Sequence, residues 1–282
     1  ITTYGRYSQY LYELAESDKI KSELQYWNEI VNSFARTIFS IDREFDYKLR
    51  NVTQMKIAFN ESETQRVLDC VNKERNIDLY SLLLTALGMS LHEISGKHDF
   101  VISIEKNGRG ILSNDINLSR TVGWIANIFP VAISVKSDDI AATFHGVQNT
   151  LSQVKNDGIG YLLLKNLGKQ ESLQAEPQVI INYLGEMIPD DTIKNFSISR
   201  YDTGTSVSLD MERKYILDIK GYRLQNELHF TIDYYKDILA ESVMHYFGTA
   251  FNLTLIRIAE IVSNIDYIVS KSVSTAGNME LL

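Results

Sequence analysis

Residues 79–94, "LYSLLLTALGMSLHEI", constrain this chain more than any other stretch. Asp78 is placed to cap a helix there, and the helix is apolar on nearly every side. A helix without a polar stripe has no face to offer to water, so it must be the central, most buried helix of the fold. Something has to cover it all round. The candidates are period-2 strand patterns at 54–59, 99–105, 127–136, 178–184, 214–219 and 228–235, and amphipathic helix patterns at 61–75, 139–154 and 241–262. With 79–95 as the fourth helix, this order predicts an α/β two-layer sandwich, one mixed sheet covered by helices.

Local signals sharpen several boundaries. Asn60 followed by Glu63 fits a capping box, with Val67, Leu68 and Val71 as the buried stripe of the helix it opens. Residues 5–31 read as one helix ending in "ELQYWNEI", and 32–53 read as an arm lying on another surface. Apolar surface around Trp27 and Phe39 is expected to lack a partner, leaving residues 1–53 loosely packed. Residues 186–213 form a long polar loop, and from Ser270 the tail is expected to fray.

Composition excludes whole classes of function. The chain of 282 residues can bury roughly 75% of the surface its unfolded form exposes. Its 28 basic and 36 acidic residues give net −8, which argues against a nucleic-acid surface. No apolar run approaches about 18 residues, so no membrane span is expected. The first residues lack a signal-peptide profile, and the single cysteine, Cys70, excludes an intrachain disulfide and reads as a small buried hydrophobe. A reducing cytoplasm is the expected compartment. There is no GxGxxG, Walker loop, HExxH or CxxC pair, and the five histidines are dispersed along the sequence.

Glu105 is the candidate for chemistry. Phe100, Ile102 and Ile104 alternate with Val101, Ser103 and Glu105, which puts the carboxylate at the carboxyl end of a strand, just before "KNGRG". Flanked by apolar positions, it would have a raised pKa and could move a proton. A solvated strand end, or an ion pair with Arg109, are the plainer readings. A second stretch, "NLSRTVGWIANIFPV" at 117–131, sets a guanidinium, a glycine and an indole directly against an alternating strand. A structural role for that segment is the simpler reading.

Together these stretches resemble the epimerisation domains of nonribosomal peptide synthetases, a branch of the condensation-domain superfamily. Those domains carry a segment like EGHGRE, then DLSRTVGWFT before a strand with PV, then a strand ending FNYLG. Here "IEKNGRG", "NLSRTVGWIANIFPV" and "VIINYLG" occur in the same order, and "ELQYW" and "SLLLTAL" look similar too. The likeness spans about residues 5–262. It implies one lobe of a two-lobed, chloramphenicol-acetyltransferase-like domain: 1–53 as inter-lobe helix and linker arm, 54–269 as the C-terminal lobe, 270–282 as tail. The HHxxxDG motif of the first lobe has no counterpart, so a missing N-terminal lobe is expected. Asn107 and Gly110 also stand where the family usually has histidine and a second glutamate.

The resemblance implies a role for each site residue. Glu105 would be one acid/base partner at the α-carbon of an aminoacyl or peptidyl thioester. Tyr183, with Asn182, would line the channel and position or protonate the carbanion, although alternation puts these two on opposite strand faces. Arg109 and Arg120 would anchor loops or orient Glu105, Gly123 would let the backbone pass closely, and Trp124 would pack the lobe junction. No cofactor is implied on the chain itself. The substrate would ride on the phosphopantetheine of a peptidyl carrier protein, the expected partner, with no nucleic acid or membrane. A condensation lobe forming amide bonds, and a non-catalytic carrier-docking module, are the alternatives.

Overall fold

A computed structural model of the chain describes residues 1–33, 37–41, 44–71, 77–110, 113, 115–174, 177–187, 201, 204 and 206–277. In chain order it has α1 (Tyr4–Ala15), α2 (Asp18–Lys21), α3 (Leu24–Ser33), β1 (Val52–Phe59), α4 (Glu61–Asp69), α5 (Leu79–Ser95), β2 (Asp99–Asn107) and β3 (Ala126–Ser134). These are followed by α6 (Ile140–Gln153), α7 (Ile159–Leu162), β4 (Val179–Met187), β5 (Leu217–Leu224), β6 (Glu227–Tyr235) and α8 (Glu241–Gly277). The strands form one mixed sheet in the order β1-β6-β5-β4-β2-β3. β2, β4 and β5 run parallel, while the β3, β6 and β1 pairings are antiparallel. This is the expected α/β sandwich.

The all-apolar helix is indeed central. Every residue of α5 from Ser81 to Leu91 is buried, and Gly96 closes the helix in the left-handed conformation. The polar groups in that run are satisfied within the helix: Thr85 and Ser90 donate to carbonyls one turn back, both at 2.7 Å. α5 packs with α8 against the sheet face formed by Phe129, Ile104, Ile181, Ile219 and Ile232, which face one another across neighbouring strands.

Several boundaries differ from expectation. The 5–31 helix is broken into α1, α2 and α3, because the Ser17 side chain accepts from the Ile20 amide and starts a new helix. The capping box of Asn60 and Glu63 is present, with both bonds made. The helix it opens stops at Asp69, however, and buries Thr64, Val67 and Cys70 while Val71 is exposed. β5 begins three residues later than the alternation of "KYILDI" suggests. β4 does not stop at Gly185, where φ is +85°, but bulges and runs on to Met187. α8 stays helical to Gly277, past the point where the tail was expected to fray. Most of the 186–213 loop lies outside the described residues.

The largest correction concerns the first 53 residues. Trp27 is fully buried, its ring 5.4 Å from Tyr161 and 6.0 Å from Phe129, and its indole donates to buried Glu23 at 3.0 Å. Gln178 clasps the arm: its side-chain oxygen accepts from the amides of Ile38 and Phe39, and its amide donates to the Phe39 carbonyl at 2.9 Å. Phe39 is buried as a result. The partners of this region lie within the chain, not on an absent surface.

Candidate functional site

Sheet register decides which side chains meet. Glu105 stands opposite Ile128 on β3 and Asn182 on β4, and Asn182 stands opposite Lys220 on β5. Paired residues share a face, so Glu105, Asn182 and Lys220 line the face away from α5 and α8. Tyr183 belongs to the other face, where its ring and Phe230 lie over Gly221; a Cβ at Gly221 would meet the Phe230 ring at 2.6 Å and Tyr183 at 3.1 Å. The alternation expected for Asn182 and Tyr183 therefore holds, and Asn182 is the one that shares the side of Glu105.

At the carboxyl ends of β2 and β4 the chain encloses a cleft of about 280 Å³ bordered by Glu105, Arg109, Trp124, Asn182 and Tyr183. Five of the six residues picked from sequence thus come together. Burial pushes the Glu105 carboxyl up. The neighbouring Trp124 side chain pulls it down, Asp218 raises it and Lys220 lowers it, and the net shift is upward. Burial likewise raises the Tyr183 phenol, with Arg223 opposing.

Trp124 packs against nothing in the core of this chain. The residue is 76% exposed and borders the cleft beside Glu105, whose pKa it lowers. Arg109 makes no ion pair with Glu105. Its guanidinium instead donates to three carbonyls of the loop before β3: Leu118 at 2.6 Å, Thr121 at 2.8 Å and Gly123 at 2.7 Å. Arg109 thus anchors this loop, while Arg120 is exposed. Gly123 has φ +149°, and a Cβ there would lie 2.8 Å from the Tyr4 ring, so the glycine lets the loop seat on α1. Thr121 completes the seat, its hydroxyl donating to the Thr2 carbonyl at 2.5 Å.

The two departures in "EKNGRG" have local explanations. The Asn107 side chain accepts from the Arg109 amide at 3.0 Å and so shapes its own turn. A Cβ at Gly110 would approach the Asp157 carboxylate at 2.7 Å, so a glutamate there would set like charges together.

Sequence reasoning missed two sets of residues. Asp218, Asp233, Arg213 and Lys220 form an ionic cluster on the Glu105 face. Arg213 pairs with both aspartates, at 2.9 Å to Asp233, and Lys220 reaches Asp233 at 3.1 Å. Burial pushes Asp233 up, but the Gln54 amide, Arg213 and Lys220 more than reverse this and hold it below its usual range. The other is Tyr80, whose hydroxyl donates to the Glu105 carbonyl at 2.5 Å and accepts from the Tyr183 amide at 3.1 Å. A phenol at the start of a largely apolar helix was the available signal, since a buried hydroxyl needs a partner. His92 and His98 also meet, with rings 4.4 Å apart, but each binds a backbone carbonyl and neither borders the cleft. Among the described residues, no group of three potential metal ligands gathers and no helix is long and apolar enough to cross a membrane.

The fold and this site define a class. The chain belongs to the condensation-domain family of nonribosomal peptide synthetases, the Condensation domain matching residues 1–269. It is 32% identical over 208 residues to bacitracin synthase 2 of Bacillus licheniformis, covering 73% of this chain and 8% of that protein. It is 27% identical over 267 residues to gramicidin S synthase 1 of Brevibacillus brevis, covering 89% of this chain and 24% of that one. Among solved structures, the epimerization domain from the third module of tyrocidine synthetase B superposes with a TM-score of 0.83 at 26% identity. That match covers 92% of this chain and 59% of the other. The X-domain from teicoplanin biosynthesis shares the fold at a TM-score of 0.63 and 16% identity.

Proposed function

We propose that this chain is the second lobe of an epimerisation domain, whose full-length protein converts an L-aminoacyl or peptidyl thioester on a carrier protein to the D form. The observation that carries the reading is Glu105: a carboxylate at a strand end, bordering a cleft with Trp124, Asn182 and Tyr183, its pKa raised by burial. An ion pair would stabilise the charged form and blunt its basicity, whereas desolvation raises it. The likeness to the tyrocidine synthetase epimerization domain supports the same assignment.

Inverting a stereocentre needs proton removal on one face and return on the other. Glu105 serves one face. The second acid/base group would be the histidine of HHxxxDG on the first lobe, which this sequence does not contain. The partners are then that lobe and a peptidyl carrier protein whose phosphopantetheine delivers the thioester, in the cytoplasm, with no cofactor on the chain itself.

Amide-bond formation is the second reading, since the family matched is that of condensation domains. Incubating the full-length protein in deuterated water with a carrier loaded with an L-aminoacyl group separates the two. Epimerisation exchanges the α-hydrogen and accumulates the D form without an acceptor amine. Condensation leaves the α-hydrogen in place and joins a second loaded carrier.

A further inference from the structure

The parallel ladder between β2 and β4 closes at Glu105 and Asn182. Both strands continue: β2 follows β3 through Lys106 and Asn107, and β4 bulges along β5 to Met187. The sheet therefore splits at this point, and the cleft lies in the split, bordered by Glu105, Lys106 and Asn107 on one side and Asn182, Tyr183 and Leu184 on the other. Splitting a sheet orphans the backbone groups that the next rung would have paired, and a buried orphan is costly.

The Tyr80 hydroxyl occupies that rung. It donates to the carbonyl of Glu105 and accepts from the amide of Tyr183, one bond to each separating strand. It projects from the first turn of α5, the most deeply buried helix, so its base is fixed. Lys106 lies over the ring, 4.7 Å from its centroid, and pairs with the capping Asp78 at 3.6 Å, which holds the ring from the other side. Burial pushes the phenol up to about 12, so the proton that makes the donor bond stays on while a carboxylate titrates. Phenylalanine would fill the same volume; only the oxygen bridges the strands.

We propose that Tyr80 is a positioning residue that sets the gap between the Glu105 strand and the Tyr183 strand, and with it the width of the cleft. The consequence for rate rests on the epimerase reading; the spacing itself does not. Tyr80→Phe in the full-length protein deletes one oxygen and keeps the packing. Expected are faster amide hydrogen exchange at Tyr183 than in wild type, and a kcat for α-hydrogen washout lower by about 10- to 10²-fold. The KM for the loaded carrier should be unchanged. Replacing Tyr80 by 4-aminophenylalanine, which can still donate and accept, should recover part of the rate. Wild-type kcat with unchanged protection at Tyr183 overturns the proposal, and so does a loss in which KM and Tm worsen in step with kcat, which is general loosening. If the wild-type protein exchanges no α-hydrogen at all, the reaction reading fails instead. Tyr183 exchange in Tyr80→Phe then decides the spacing by itself, faster in its favour and unchanged against it.

Discussion

Trp124 borders the same cleft as Glu105 and draws its carboxyl pKa down, while most of the residue stands in solvent. An exposed tryptophan contributes little to the core of this chain, but beside Glu105 it favours the ionised carboxylate against the burial that disfavours it.

Trp124→Phe should therefore raise the Glu105 pKa further. A base works only when ionised, so activity is lost as pH falls through that pKa, and the acid limb of the α-hydrogen exchange profile should move to higher pH. Tm should stay nearly constant, as for most exposed substitutions. A limb that does not move would show that the indole leaves Glu105 untouched.

Glu105→Gln carries a stability signature as well as a catalytic one. The folded-state pKa lies above the unfolded value of about 4.3. The wild-type residue therefore loses stability relative to the variant as pH rises through its folded pKa. The variant should melt higher at pH 7–8, and the difference should vanish below about pH 4. A variant that melts lower at neutral pH would mean the carboxylate has a stabilising partner.

Arg109→Ala should leave the carbonyls of Leu118, Thr121 and Gly123 short of a donor, at a cost of about 1–3 kcal/mol. Hydrogen exchange across 117–124 should rise. Arg109→Lys should not restore it, since a point ammonium cannot reproduce the planar fork. Recovery by lysine would reduce the role to charge.

Gly123→Ala should cost about 1–3 kcal/mol, from its positive φ and the Tyr4 ring at 2.8 Å. Tyr4→Ala should relieve the steric part alone. A double-mutant cycle by denaturant melts measures that coupling, and strict additivity would count against the contact.

Trp27→Ala tests the packing of the first 53 residues. It should cost about 3–5 kcal/mol for the cavity, more because buried Glu23 loses a donor. A near-neutral change would restore the loosely packed arm that the sequence suggested.

That arm shows where sequence reading runs out. The α5 helix and the alternating strands were legible because period and caps are local: Asp78, Asn60 and Glu63 sit within one turn of what they bind. Trp27 was not, since its partners Phe129 and Tyr161 and the clasp of Gln178 on Phe39 are more than a hundred residues distant, and no local pattern announces them. The place of Glu105 at a strand end was legible from alternation, whereas Asn182 and Tyr183 came from the resemblance of "NYLG", and alternation added only that they lie on opposite faces. The division of labour among Arg109, Arg120 and Trp124 was not legible, because it depends on how a loop without period folds back onto Thr2 and Tyr4. Tyr80 stayed hidden because its partners, Glu105 and Tyr183, lie on strands far along the chain.

The most direct measurement is α-deuterium washout by the full-length protein from a carrier-bound aminoacyl thioester, comparing wild type with Glu105→Gln and Tyr183→Phe. Expected is a loss on the order of 10²–10⁴-fold for Glu105→Gln with carrier binding intact, and a smaller loss for Tyr183→Phe. Retention of most of the wild-type rate by Glu105→Gln, with the rate abolished by Tyr183→Phe, would contradict the assignment of Glu105 as the base.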